Sequence, residues 1–200
     1  MWEERFATQD YVFGKEPAAF LTDHADLLTP GDTALAVADG EGRNSVFMAQ
    51  RGLHVTALEF APSAIAKARA LAADKGVTVT FRETDVLAHD WAETFDLVAG
   101  IFIQFVGPDQ RQALFDGMRR SVRPGGLILL HGYTPAQIAL GTGGPPFVEN
   151  MYTEDLLRDA FGDWQILECR AYERDISEGR AHSGPSALID LVARRPEQDA

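Results

Sequence analysis

The first chemistry in this sequence lies in a short turn, Val37-Ala-Asp-Gly40-Glu-Gly42-Arg-Asn44. Gly40 and Gly42 let the backbone approach a ligand closely or take a positive φ. Glu59 follows 17 residues after Gly42. A carboxylate so placed can accept both hydroxyls of a ribose, a bidentate contact. Asp85 comes next, in Glu83-Thr-Asp85-Val86, within reach of an exocyclic amine such as that of adenine. Taken singly, these are a tight turn and two solvated acids. Taken in series, they describe a nucleoside pocket.

The identity of the nucleoside follows from charge. A dinucleotide fingerprint asks for G-x-G-x-x-G, and Ser45 stands at its third glycine. A dinucleotide also brings a diphosphate, which the acids Asp39 and Glu41 in the turn would repel. S-adenosylmethionine carries no phosphate. It carries a sulfonium and an amino group, and acidic and aromatic surroundings suit such cations.

These residues need a scaffold, and the chain supplies strand and helix runs in alternation. Residues 33–38 form a first strand, and residues 44–51 form a helix stopped at Gly52. Residues 55–59 form a second strand. Pro62 and Ser63 open an alanine-rich helix that runs to about Lys75 and stops at Gly76. Residues 77–81 alternate and are β-branched, a third strand. Residues 95–101 form a fourth. Pro108 and Asp109 start a helix with Leu114, Met118 and Val122 on one buried face. Residues 127–130 form a fifth strand after the break at Arg123-Pro-Gly-Gly126.

Such alternation implies a parallel sheet covered on both faces. After it, the Gly/Pro-rich loop 141–146 leads to a helix at 153–161. Two long strands, 164–174 and 186–194, follow with no helix between them. They pair antiparallel, as a hairpin at one edge of the sheet. A helix at 17–28 and a looser lead-in at 2–14 precede the core. The fold expected is α/β: a doubly wound, mostly parallel seven-stranded Rossmann-like sheet with an antiparallel C-terminal hairpin. It forms one domain, residues 1–200, with a cap segment at 1–30, a cofactor core at 33–131, and an acceptor loop, helix and hairpin at 132–200.

Composition narrows the partners. The chain has 200 residues, 46% hydrophobic and 24% charged, the balance of a globular domain. Its 18 Lys and Arg against 30 Asp and Glu give a formal charge of -12. That argues against nucleic acid and against an anionic membrane surface, both of which are held by basic groups. The single cysteine, Cys169, permits no internal disulfide and no cysteine zinc cluster. The charged N-terminus has no secretory h-region, and the most apolar stretch, 97–106, is about half of a membrane span. A cytoplasmic location is expected.

The ordered motifs resemble the class I S-adenosylmethionine-dependent methyltransferases, and among them the small bacterial tellurite-resistance and thiopurine methyltransferase type. The resemblance runs over nearly the whole chain. It rests on Tyr11-Val-Phe-Gly14-Lys-Glu-Pro17, Phe20-Leu21, Gly40-Glu-Gly-Arg-Asn44, Glu59, Asp85, Phe95-Asp96-Leu97-Val98, Arg123-Pro-Gly-Gly126, and Glu178-Gly179 with His182 and Gly184. It implies that Gly40 and Gly42 face the methionine part of the cofactor, with Ala38, Asp39 and Asn44 also at the cofactor. Glu59, with Phe60 beside it, would hold the ribose, and Asp85 with Val86 the adenine. Ile101, Phe102 and Gln104 would line the reactive side, and Tyr11 and Gly14 would fold over the cofactor. The sequence departs from the family at Ala36, where an acid is usual, and at Ala38, where a glycine is usual. Asp39 and Glu41 are the acids at hand to compensate. Gln104 stands where a His or Asn often ends the fourth strand, and His131 where an acid often ends the fifth.

Methyl transfer from a sulfonium needs alignment and desolvation, and needs a base only for a weakly acidic acceptor. His131 and His182 are the catalytic candidates; His131 reads also as a hydrogen-bonded strand-end histidine, and His182 also as a turn histidine bonded to backbone carbonyls. Arg174 and Arg180 are candidates for an anionic acceptor, or else solvated charge. Phe13, Phe102 and Phe105 read as lining or core, His24 as a helix-surface residue, and Cys169 as a small buried hydrophobe. No metal-ligand spacing is present. The sequence thus reads as a methyltransferase for a small acceptor, monomeric or weakly dimeric. A chalcogen oxyanion, a thiol, a thiopurine or another metabolite would each fit as the acceptor. An NAD(P)-dependent oxidoreductase and a non-catalytic S-adenosylmethionine-binding protein are the alternatives.

Overall fold

The structure, a computed structural model, describes residues 2–179 and 182–197. Its centre is β1 (Thr33–Val37), β2 (His54–Glu59), β3 (Val79–Glu83) and β4 (Phe95–Ile101). The sheet continues through β5 (Val122–Tyr133) to β6 (Gln165–Ser177) and β7 (Ser183–Arg194). The strand order is β3-β2-β1-β4-β5-β7-β6. The first five strands run parallel, and β7 pairs antiparallel with both β5 and β6. The expected seven-stranded mixed sheet is therefore present, with β6 as the outer strand of the hairpin. Among the described residues no helix is long and apolar enough to cross a membrane.

Strand alternation places the core on two faces. Leu35 and Val37 of β1 join Val98, Ile128 and Leu130 on one face. That face is covered by α5 (Pro108–Arg120) and α7 (Glu154–Phe161), through Leu114, Met118, Leu157 and Phe161. Ala34 and Ala36 point to the other face, beside Ala57, Leu97 and Leu129. There α2 (Ala19–Asp23), α3 (Arg43–Gln50) and α4 (Pro62–Asp74) bury Phe20, Met48 and Leu71. Small residues on that face of β1 let the helices approach closely.

Several expected boundaries move. The helix expected at 17–28 breaks after Asp23 into a 3-10 turn, Ala25–Leu27. Its half-buried His24 is tied to the Phe20 carbonyl and to Glu168, so it is not a free surface histidine. The lead-in contains α1 (Trp2–Phe6), packed on α4, and Glu3 accepts hydrogen bonds from the amide and hydroxyl of Ser63. The fifth and last strands are longer than their apolar runs: β5 runs on through His131–Tyr133 in its ladder with β7, and β7 begins at Ser183 because 183–185 pair with β6. A short helix, α6 (Gln137–Leu140), sits in the loop after β5. Cys169 is buried on β6, and burial raises its thiol pKa, as fits a small core residue.

Gly42 positions the first turn for a reason of packing. It has φ +89, and a Cβ there would sit 2.7 Å from the Ala68 Cβ on α4. Gly42→Ala adds left-handed strain to an overlap between two helices. We expect a loss of about 2–5 kcal/mol, seen as a melting point lower by roughly 5–15 °C. A shift under about 2 °C in a thermal melt would show that the helices part at no cost.

Candidate active site

The sheet changes direction between β1 and β4, whose following helices cover opposite faces. In open α/β sheets the ligand crevice lies at that switch point, beyond the carboxyl ends of the strands. A cavity of about 260 Å³ is found there. Its polar wall comes from Ala38, Asp39 and Gly40 after β1, Asn44 in α3, Glu59 and Phe60 at the end of β2, and Asp85 and Val86 after β3. Ile101 and Phe102 at the end of β4 close one side, and His182 comes in from the hairpin.

The turn after β1 is bent as a glycine-rich loop. Ala38 has φ +50, left-handed for a residue with a Cβ, and Gly40 has φ +65. The position the family gives to glycine thus keeps the glycine conformation, at a cost of roughly 1 kcal/mol for alanine. Glu59 braces this loop. One carboxylate oxygen accepts the Gly40 N–H at 2.8 Å, and the other accepts those of Phe60 and Ala61 at 3.0 Å. Burial raises its pKa, while these three N–H bonds pull it down. Asp85 is exposed and accepts the Leu87 N–H, in an Asx turn that holds the carboxylate at the cavity mouth.

The acids of the first turn part company. Asp39 lines the cavity and caps α3 through Ser45, accepting its amide and hydroxyl. Burial lifts its pKa to about 6; the Ser45 bonds oppose this and the nearby Glu59 adds to it. Glu41 faces away and is buried. It accepts the Val12 and Phe13 N–H groups and pairs with Lys67 at 2.7 Å. Its work is to anchor the N-terminal segment, so of the two acids in the turn Asp39 alone lines the cavity. Ala36 itself lies in the apolar core under α3.

Five of the sequence-stated residues are not on the cavity wall. Tyr11 donates its hydroxyl to the Lys67 carbonyl, and Gly14 packs against Gly179. Gly42 serves the α3–α4 contact. Gln104 is 4% exposed, and its amide bridges both the N–H and the C=O of Tyr133, pinning the loop after β4 to β5. His131 is 1% exposed, paired through Nδ1 with Asp190 at 2.6 Å and stacked on Phe20. It sits beneath Phe102, not beside the cavity. The burial follows from register: His131 pairs with Asp190 in the β5–β7 ladder.

The cap over the cavity is aromatic. Trp2, Phe6 and Phe13 contact one another with ring centroids 5.6 to 6.3 Å apart and line it from above. The periodicity of so short a helix gives no signal for Trp2 and Phe6. Phe102 has φ +57, a strained setting for a bulky residue. Its ring meets His182 at 4.2 Å and Tyr133 at 4.9 Å. Phe105 and Leu87 line the rim, as does Thr84. Arg43 also lines the cavity, and it pairs with Glu178 of the hairpin loop at 2.8 Å, both side chains 6% exposed. That pair escapes sequence reading because 135 positions separate its partners. Arg174 pairs with Asp23 on the surface, and Arg180 lies outside the described residues.

This is the class I methyltransferase fold, and residues 34–126 match the family profile described as "Methyltransferase domain". The chain is 37% identical over 107 residues to an uncharacterized protein of Mycobacterium tuberculosis, covering 52% of this chain and 38% of that one. It thus spans about two fifths of the length of the first curated relatives it matches. By structure it is similar to TehB from Haemophilus influenzae, with TM-score 0.72 and 17% identity over 97% of this chain and 65% of that one. It is similar also to the N-methyltransferase NodS from Bradyrhizobium japonicum in complex with S-adenosyl-L-homocysteine, with TM-score 0.72 and 17% identity over 98% and 97% of the two chains.

Proposed function

We propose that this chain is an S-adenosylmethionine-dependent methyltransferase acting on a small acceptor by in-line displacement. One observation carries the reading: the three acids Asp39, Glu59 and Asp85 line one cavity at the switch point of a methyltransferase sheet. The cavity's guanidinium, that of Arg43, is already matched by Glu178. Such a donor set suits a cationic nucleoside without phosphates, and it disfavours the diphosphate of a nicotinamide cofactor. The relative solved with the demethylated cofactor supports the same reading.

The roles follow from placement. Glu59 holds the ribose hydroxyls, Asp85 and Val86 the adenine edge, and Asp39 the amino group in place of the acid absent at position 36. The cofactor supplies the activated methyl group. The chain's own part is alignment and exclusion of water. Trp2, Phe6 and Phe13 cover the cavity, Phe102 walls it, and His182 faces the acceptor side. A cytoplasmic location, an acceptor other than nucleic acid, and a monomeric or weakly dimeric state belong to the same reading.

A thermal-shift series tests it. S-adenosylmethionine and its demethylated product should each raise the melting point, and NAD should not; the reverse pattern would sink the reading. The shift also carries a pH signature from Asp39. A cation prefers the ionised acid, so affinity should fall as pH drops through about 6, by at most about tenfold per pH unit. The sign for the free protein is opposite. A carboxyl whose folded pKa stands above its unfolded value binds more protons when folded. Asp39 therefore adds stability to the free protein between pH 7 and 5 while the cofactor-induced shift shrinks. Asp39→Asn should flatten both trends.

A further inference from the structure

His182 is 8% exposed and lines the cavity, yet its Nδ1 is buried with no hydrogen-bond partner among the described residues. The ring stands edge-to-face among Phe13 at 4.6 Å, Phe102 at 4.2 Å and Tyr133 at 5.6 Å. A catalytic base is normally oriented by a third group, a carboxylate or carbonyl on its far nitrogen. That arrangement exists one layer down, between His131 and Asp190, and not at His182. Glu178, whose backbone N–H donates to the His182 carbonyl, has its carboxylate committed to Arg43 and to the Ala19 N–H. Among the described residues the buried Tyr133 hydroxyl makes no hydrogen bond to His182, and the Ser186 hydroxyl beside it is donated to the Gly184 carbonyl.

A bare nitrogen is the cheaper orphan in such a setting, because buried N–H groups without acceptors are rarer than under-satisfied acceptors. The proton of a neutral ring then sits on Nε2. The charges that reach the ring act the same way. Burial first, then Arg43, His131 and Arg5, push its pKa down to about 3. A lone N–H donor on the cavity wall that cannot take up a proton suits an acceptor that already carries its negative charge.

We propose, on the methyltransferase reading above, that His182 is a neutral hydrogen-bond donor and not a general base. Its Nε2–H points at the methyl acceptor, and it selects a nucleophile that is already ionised when it binds. The step then balances without a base. A lone pair of the anion forms the new bond to the methyl carbon as the carbon–sulfonium bond breaks onto sulfur. The negative and positive charges cancel, and no proton is left to remove. An acceptor that must lose a proton during transfer, such as an aliphatic alcohol, finds no base at His182 to take it.

Two measurements on the full chain test this. The first is long-range proton–nitrogen correlation on the labelled imidazoles, with His182 identified by the peaks lost in His182→Gln. It should show the Nε2–H neutral tautomer unchanged from pH 5 to 8. Titration near the ordinary midpoint of about 6.5, or an Nδ1–H tautomer, overturns the proposal. The second is absorbance of para-nitrothiophenol and para-nitrophenol added to protein saturated with S-adenosylhomocysteine. At least one should bind as its anion, with its apparent pKa lowered by about one unit or more, and the responding probe distinguishes a sulfur from an oxygen nucleophile. His182→Gln, which keeps an N–H near the Nε2 position, should retain the shift, while His182→Asn and His182→Ala lose it. Binding of both probes in the protonated form, or of neither, counts against the proposal. Failure of S-adenosylhomocysteine itself to bind would instead remove the methyltransferase reading, and the imidazole spectra would still decide the state of His182.

Discussion

Glu59→Ala is expected to abolish the melting-point increase produced by S-adenosylmethionine. Two hydrogen bonds from ribose hydroxyls to a carboxylate contribute roughly 1.5 kcal/mol or more each, so affinity should fall by about a hundredfold. The variant also loses the three N–H groups that Glu59 now holds, those of Gly40, Phe60 and Ala61. Its own melting point should therefore drop as well. Glu59→Gln separates the two effects. Its amide oxygen can still brace part of the turn, but it presents a donor and no charge to the ribose. We expect a smaller stability loss and still a large affinity loss. Isothermal titration of both variants checks this, and wild-type affinity in either would remove Glu59 from the site.

Arg43→Ala should produce a large loss of stability. It leaves Glu178 buried at 6% exposure without its cation, and breaking such a pair by removing one partner costs about 3–5 kcal/mol. For a domain of this size that is a fall of roughly 6–20 °C in melting point. The pair itself is not a strong net stabiliser, since two charges had to leave water to form it. Arg43→Met with Glu178→Leu should therefore recover most of the loss. The double variant would keep the fold yet lose the tie between the first turn of α3 and the hairpin loop that carries His182. If Arg43→Ala melts within about 2 °C of the parent, water reaches Glu178 and the pair is not buried in solution.

These two residues show how differently the site could be read from the sequence. Glu59 was legible because its role depends on a local rule, an acid at the tip of the second strand after a glycine turn. Arg43 was passed over because its role depends on Glu178, brought back by the last hairpin. The same division runs through the other residues. Asp39, Gly40, Asp85 and Phe102 lie where strand ends must lie, and the cavity includes them. Tyr11, Gly14 and Gln104 were placed at the ligand by family pattern, and His131 by its place at a strand tip, yet each is turned to another partner. Gln104 is the clearest case. Position alone puts it at the end of the fourth strand; only packing shows that its amide completes the hydrogen bonds of Tyr133.

The sequence by itself determined the sheet, the order of its elements and the corner where the cavity lies. Those depend on apolar periodicity, glycine turns and strand ends, which are properties of neighbouring residues. Tertiary structure alone decided which acids face the cavity, because side-chain direction depends on long-range partners. Glu41 turned to Lys67 and the N-terminal segment, while Asp39 stayed. It also decided between the two histidines. His131 is drawn inward by Asp190 across the β5–β7 ladder, and His182 is left against the cavity with its Nδ1 bonded to no acid among the described residues. Burial and the sign of the nearest charge set those roles, and neither is written in the spacing of residues along the chain.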